Sequence, residues 1–504
     1  MKVVATHELT DAALAKMGQT ELLHIYNGLD CCVTFEVLNA IKPQLDDVTR
    51  ATYEFSKSLQ APVLEMRLRG VLVDATWRQQ AIADYQLDLS RIADQLNRIL
   101  AEGIGFPINW NSPAQLKTLL YRVMKLPVQK KRNQKGLYVE TADRDTLEKL
   151  EQYFLAQPII SHILALRNIY KKISILETSI DPDGRMRTSY NIAGTTTGRF
   201  NSSLSDFGTG TNLQNIEERL RRPFIADPGM KFAYIDLEQA ESRLVGAIEW
   251  NLFGDGRYLD ACESGDLHTS VCRLAWTELP WTGDIKADRK IADKPFYRQH
   301  SYRHMAKVLG HGTNYAGKPF TMAKHTKLEA TLIAAFQTKY FNAFPAHQRW
   351  HGAVQSELLS QGHHTTITGR RRWFFGRRND DAVVREAIAY GPQGAVGDIL
   401  NMGMLAVWRL GIAQLLLQIH DAILIQYPED REDEILPRVL KEIVVPVELK
   451  NGRTLIIPSE AQTGWNWAKQ DDNNPDGLSK YSGNDSRKRS APVPRLDNIL
   501  DRIY

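Results

Sequence analysis

The sequence predicts a multidomain α+β protein, and three observations predict it. A helix with apolar residues three and four apart runs from about 75 to 102, and a second helical stretch covers roughly 143 to 177. Short apolar runs, FAYI before Asp236 and LLLQI and AILIQY around His420-Asp421, read as buried strands, the last two as a hairpin. Between these strand segments, residues 251 to 384 are mostly helical by pattern. That order implies a sheet assembled from both sides of a helical insertion.

The first 45 residues do not resemble a complete domain. The helix from 75 carries Ile82, Tyr85, Leu89, Ile92, Leu96 and Ile99, a coiled-coil-like seam. NWNSPAQL and the basic QKKRNQKG are turn-rich. The stretch from 143 places Ile159, Ile163, Leu166, Tyr170 and Ile173 on one face. Two long helices joined by a basic tip suit a lever lying along a duplex backbone, or form an ordinary helical hairpin. After Trp467 the composition turns polar and rich in Asn, Asp, Gly and Ser, so 468–504 is expected to be disordered. Leu496, Ile499, Leu500 and Ile503 nevertheless share one helical face, for docking on this protein or on a partner.

At 504 residues the chain can bury two or more cores. Its net charge of +4 does not by itself announce a polyanion partner. The basic residues are clustered, however, at Lys130-Lys131-Arg132, Arg219 to Arg222, and Arg370-Arg371-Arg372 with Arg377-Arg378. Such clusters are either solvated surface or patches that grip phosphates. Four cysteines lack metal-ligand spacing and suit a reducing compartment. No run approaches the roughly 18 apolar residues of a membrane span. A soluble, cytoplasmic protein without a membrane partner is expected.

Three stretches carry chemistry: YIDLEQAESR (234–243), RHMAKVLGHGTNY (303–315) and QIHDAILI (418–425). Asp236 leaves a buried strand and Asp421 sits in an apolar hairpin, two convergent carboxylates of the kind that hold magnesium with substrate phosphates. Arg303, Lys307 and His311 are four residues apart and line one helix face, where Arg can fork onto phosphate oxygens and Lys adds a point charge. Gly310 and Gly312 then mark a helix end that allows close approach to the backbone.

These stretches resemble motifs of family A DNA polymerases, the DNA polymerase I family. Asp236, Gln239, Glu241 and Arg243 match the first palm motif, D-Y-S-Q-I-E-L-R. Arg303, Lys307 and Tyr315 match the fingers-helix motif, and His420-Asp421 with Gln418 match the last palm motif. TGRFNSS (197–203), NLQNI (212–216), DLH (266–268) and the run from Arg385 to Gly394 also fit. The resemblance covers nearly the whole chain. It implies a right-hand fold with helical thumb, antiparallel-sheet palm and helical fingers. The expected divisions are an exonuclease remnant (1–45), thumb and connecting helices (46–185), palm (186–250), fingers (251–384), palm again (385–467) and a tail (468–504).

The resemblance further implies roles. Asp236 and Asp421 would hold two Mg2+ ions and carry catalysis. Gln239, Arg303, Lys307, His268 and His311 would surround the incoming dNTP, with Tyr315 by the template base. Arg199, Asn215, Arg385, Gln393 and His420 would contact primer-template DNA, together with the basic Lys130, Lys131 and Arg132. Glu241 would block a ribose 2′-hydroxyl. Tyr26 and Asp30, in YNGLD, resemble the third motif of a 3′–5′ exonuclease domain whose earlier motifs should lie upstream. Proofreading is therefore expected to be supplied by a separate exonuclease-bearing polypeptide or lost, unless the sequence record is fragmentary. A processivity factor is a further candidate partner.

This chain also departs from the family pattern. Glu238 stands for Ser, His311 for an aromatic residue, Ala389 for Asn, and Ala422 for the Glu of H-D-E, while Pro392 is one place off. The domain plan is shared by compact phage enzymes, so viral DNA replication in the host cytoplasm is the expected setting. The competing readings are a catalytically silent primer-template-binding subunit and a single-subunit RNA polymerase, the latter opposed by Glu241.

Overall fold

The structure, a computed structural model, describes residues 10–297 and 300–483. Helix α1 (Gln19–Ile41) buries none of its residues. Helix α2 (Ala75–Gly103) matches the seam predicted from the apolar spacing, and its Asp74 side chain caps it by accepting from the Trp77 amide. Ala81, Tyr85, Ile92, Leu96 and Leu100 form its buried stripe. The basic tip is a hairpin of β1 (Lys130–Arg132) and β2 (Tyr138–Glu140), in which Lys131 faces Val139 and every β1 side chain is exposed.

The stretch expected as one helix over 143–177 is broken. A short helix covers Arg144–Leu150, and α3 (Gln157–Leu176) begins after a turn. Pro158 lies in the first turn of α3, where its missing N–H costs nothing. Ile159, Ile163, Leu166 and Ile173 are buried as predicted, but Tyr170 is 48% exposed and meets Trp110 edge-on at 5.9 Å. Lys172 lies buried in this face instead, its ammonium 5.4 Å from the Tyr85 ring centre.

The central sheet has five antiparallel strands in the order β6-β7-β3-β8-β9, where β3 is Met230–Leu237, β6 Gln414–Ile419, β7 Ala422–Pro428, β8 Ser459–Gly464 and β9 Ser479–Lys480. Strand β3 runs through Asp236 rather than ending before it. Between β3 and β6 lie α4 (Ala240–Phe253), α5 (Leu267–Ala275), α6 (Tyr302–Asn314), α7 (Ala330–Ala343) and α8 (Ala346–Gln361). A hairpin of β4 (His363–Thr365) and β5 (Arg371–Trp373) follows, and then α9 (Asp381–Leu410), which contains Pro392. The buried apolar residues form two bodies. One joins the sheet to α2 and α3, and the other lies among α5 to α8.

The expected disorder after Trp467 does not extend over 468–483. Strand β9 pairs with β8, Leu478 is 5% exposed, and the Asn466 and Asn474 side-chain amides bond each other at 2.8 and 3.0 Å. Backbone pairing and satisfied buried amides order a segment whose few apolar residues would not. The predicted terminal helix lies outside the described residues. Among the described residues, no helix is long and apolar enough to cross a membrane.

Candidate active site

Strand register places the two aspartates together. Asp236 on β3 faces Ala422 on β7, so Asp421, one residue earlier in the turn, stands at the same end of the sheet. The turn is held from behind. Gln214 donates to the Gln418 side-chain oxygen at 2.8 Å, Gln418 donates to the His420 carbonyl at 3.0 Å, and the Tyr190 hydroxyl bonds the Gln418 backbone on both sides. All of Tyr190, Gln214 and Gln418 are buried. His420 and Gln239, flanking the aspartates, have left-handed φ of 52° and 53°, which places strained backbone at the site.

The carboxylates perturb each other. Asp236 opens onto solvent at the cleft floor, yet the surrounding walls desolvate it and the Asp421 charge adds to this, so its pKa is pushed up to about 6. Burial also raises Asp421, opposed by Arg199 and reinforced by Glu241. Arg199 Nη2 lies 2.8 Å from Glu241 Oε1 and 3.2 Å from Asp421 Oδ1. The Tyr315 hydroxyl hydrogen-bonds the other Glu241 oxygen, linking the end of α6 to α4. Burial, then the Glu241 charge, holds the Tyr315 phenol fully protonated.

Helix α6 supplies the cations. Its N-cap Ser301 accepts from the His304 amide, and its buried face includes Met305, Ala306 and Leu309. Arg303 is paired with Asp266 at 2.9 and 3.2 Å, while Lys307 is exposed and makes no ion pair among the described residues. Burial would raise Asp266, but the hydrogen bonds and charge of Arg303 hold it below the usual carboxylate range. His268 is buried, and desolvation with the charge of Arg303 lowers its pKa to about 3, so it is neutral. Its ring centre lies 6.2 Å from that of His311, whose pKa burial also lowers. Lys307 lowers the Asp236 pKa by its charge, which places it at the same cleft.

Helix α9 closes the wall behind Arg199. A Cβ on Gly397 would come 3.0 Å from Arg199 Cγ, and one on Gly394 would come 3.2 Å from the Thr197 carbonyl, so these glycines permit the close approach. The Gln393 side chain, beside them, makes no hydrogen bond among the described residues and is half-buried. Arg385 is tied to Asp381 on its own helix, and Asn215 is exposed next to the buried Gln214.

The structure thus brings together Asp236, Asp421, Arg199, Glu241 and Tyr315, with His268, Arg303, Lys307 and His311 alongside. It does not bring Lys130, Lys131 and Arg132 into contact with them. Lys131 pairs with Asp143 at 3.0 Å and Arg132 lies over Tyr138 at 5.2 Å. Tyr26 and Asp30 sit on the exposed α1. Sequence reasoning gave no role to Asp266, Tyr190 or Gln214. The Asn-Leu-Gln-Asn-Ile run was the available signal for Gln214.

The donor set suits a divalent ion that keeps other ligands. Among the described residues no group of three or more His, Cys, Asp or Glu could hold a metal by itself. Two converging carboxylates of raised pKa leave the remaining positions to water and phosphate oxygens, as magnesium prefers. The residues present therefore fit a magnesium site completed by substrate.

A right-hand arrangement of sheet, helical insertion and long N-terminal helices defines the class. The family model for DNA polymerase family A matches residues 79–469, and the chain belongs to that family. It is 28% identical over 472 residues to DNA polymerase I of Chloroflexus aurantiacus, covering 88% of this chain and 46% of that protein. It is 27% identical over 435 residues to the thermostable DNA polymerase I of Thermus aquaticus, covering 82% of this chain and 47% of that protein. The chain thus spans about half the length of the curated relatives it matches. The POL domain of Pol1 from M. smegmatis, solved with DNA primer-template and dNTP, shares the fold with a TM-score of 0.66 at 24% identity, over 81% of this chain and 69% of that one.

Proposed function

We propose that this chain is a DNA-directed DNA polymerase that adds dNTPs to a primer 3′-hydroxyl by phosphoryl transfer assisted by two magnesium ions. The observation that carries the reading is the convergence of Asp236 and Asp421 in strand register beneath the cationic face of α6. Phosphoryl transfer asks the protein for positioning and charge neutralisation rather than covalent chemistry.

Asp236 and Asp421 would hold the ions. Bound magnesium would neutralise phosphate charge and favour ionisation of the attacking hydroxyl. Lys307 is free to meet the triphosphate, and Arg303 exchanges its bond to Asp266 for phosphate oxygens. Neutral His268 donates to phosphate without adding charge. Arg199 and Gln393 read the minor-groove edge of the primer end, where acceptors occur at every base pair. Glu241 closes the space a 2′-hydroxyl would need, with Tyr315 and Arg199 fixing its two oxygens.

In this reading α2, α3 and the β1–β2 hairpin form the thumb, with Lys130, Lys131 and Arg132 on the duplex backbone. The setting is DNA replication, in the host cytoplasm if the chain is viral. Tyr26 and Asp30 by themselves do not suffice for a two-metal exonuclease, which needs further carboxylates. Steady-state primer extension tests the triphosphate assignment. Lys307→Ala should raise the KM for dNTP at least tenfold, since a charged hydrogen bond contributes about 1.5–3 kcal/mol. An unchanged KM contradicts it.

A further inference from the structure

The β4–β5 hairpin carries an aromatic and basic surface that none of the assigned roles uses. Its sequence from Arg370 to Arg378, RRRWFFGRR, holds five arginines and no acidic residue. Phe374 points inward and is 5% exposed, under the Arg372 guanidinium at 4.5 Å. Phe375 is 96% exposed and Trp373 52% exposed. Phe375 stands almost wholly in water, and the half-exposed Trp373 is braced from one side by His363 at 4.7 Å between ring centres. Beside them an open hollow of about 510 Å³ is lined by Thr196, Arg371, Trp373 and Phe375. Thr196 lies three residues before Arg199, and the Arg370 guanidinium packs against Gly198, so this surface continues directly from the cleft wall.

We propose that Trp373 and Phe375 form a stacking platform for the unpaired template strand, with the neighbouring arginines on its phosphates. Exposed rings alternating with cations are what single-stranded nucleic acid binds, because every base offers a π-face and every nucleotide a phosphate. Neither Arg377 nor Arg378 has a carboxylate partner among the described residues; Arg378 packs on Gly362 and donates to the Leu359 carbonyl at 3.4 Å. Arg371 and Arg372 pair with Asp46 and Glu386 at 2.5 Å, but those carboxylates are 49% and 53% exposed. Exposed pairs of this kind are weak and exchange readily for phosphate. Asp380 and Asp381 close the surface on the far side, where Asp380 caps α9 and Asp381 is held by Lys318 and Arg385. The platform rests on the polymerase reading for the identity of its strand, but its binding is measurable without catalysis.

Fluorescence anisotropy on the full chain tests it, with labelled primer-templates that are blunt or carry an eight-nucleotide 5′ template overhang. The double substitution Trp373→Ala/Phe375→Ala should weaken overhang-bearing DNA by about tenfold or more, the loss expected for one or two stacked bases. Blunt duplex affinity should stay within about twofold, and Trp373→Phe/Phe375→Tyr should restore overhang binding, because the rings are retained. Arg377→Gln/Arg378→Gln should flatten the salt dependence for the overhang substrate only. Equal losses on both substrates, or none on either, overturn the platform, as would weakening in the ring-retaining variant equal to that in the alanine variant. A wild type that prefers overhang DNA but never extends a primer would instead sink the polymerase reading and leave the platform standing.

Discussion

Arg199 and Asp421, 222 residues apart in sequence, meet at 3.2 Å over the floor of the cleft. The same guanidinium nitrogen bonds Glu241 at 2.8 Å, so one cation neutralises carboxylates on two separate elements. A divalent ion at Asp421 has to share that carboxylate with Arg199 or replace it.

Arg199→Ala should therefore separate metal affinity from turnover. Manganese binding to the DNA-free protein, read by electron paramagnetic resonance, should tighten because a competing cation is gone. Primer extension should fall by roughly tenfold to a hundredfold, the loss of a charged hydrogen bond to the primer end. Weaker manganese binding would contradict the competition.

Acid should silence the site through Asp236. Its pKa of about 6 means that the metal-free carboxyl takes up a proton as pH falls through 6, and extension should decline over that range. For folding the sign is the reverse of a salt-bridged aspartate. A carboxyl whose pKa is raised on folding destabilises the protein as pH climbs from its unfolded value near 4 to about 6. Thermal melts without metal should show this slope in wild type and lose it in Asp236→Asn.

Glu249 and His347 lie 2.7 Å apart and are 1% and 0% exposed. Burial pushes Glu249 up to about 9 and His347 down to about 3, so both are neutral near pH 7 despite their proximity. His347 Nε2 carries the hydrogen that it donates to Asn314 Oδ1 at 2.9 Å. Stability should fall as pH rises from the unfolded Glu value toward 9, and also as it falls from the unfolded His value toward 3. Glu249→Gln removes the titrating carboxyl, so chemical-denaturation stability should lose its decline above the unfolded Glu value, while an unchanged decline would contradict the assignment.

Glu241→Ala should let the protein incorporate ribonucleotides. Competition between dATP and ATP at one template position should shift toward ATP by at least tenfold, with dATP turnover reduced by the lost Arg199 and Tyr315 anchors. Undiminished preference for dATP would remove Glu241 from sugar selection.

Much of this was legible before the fold. The spacing of Tyr85, Ile92 and Leu96 specified α2, and short apolar runs specified the strands that carry Asp236 and stand beside Asp421, because burial imposes periodicity on local sequence. What escaped was non-local. Nothing near Arg303 in sequence announces its bond to Asp266, and nothing in the hairpin announces that Tyr190 and Gln214 brace it. The turn over 151–156 that splits the second helical stretch was concealed by the apolar pattern on either side. Order over 468–483 comes from backbone pairing to β8 and the Asn466–Asn474 amides, which composition cannot register.

We propose that Asp236 and Asp421 make this chain a DNA-templated DNA polymerase. Primer extension on a defined template with magnesium, supplied with dNTPs or rNTPs, tests it most directly when wild type is compared with Asp421→Ala. Wild type should extend the primer with dNTPs alone, and the variant should not extend it although it still binds primer-template. Extension that survives Asp421→Ala, or a folded, DNA-binding wild type that never extends a primer, would contradict it.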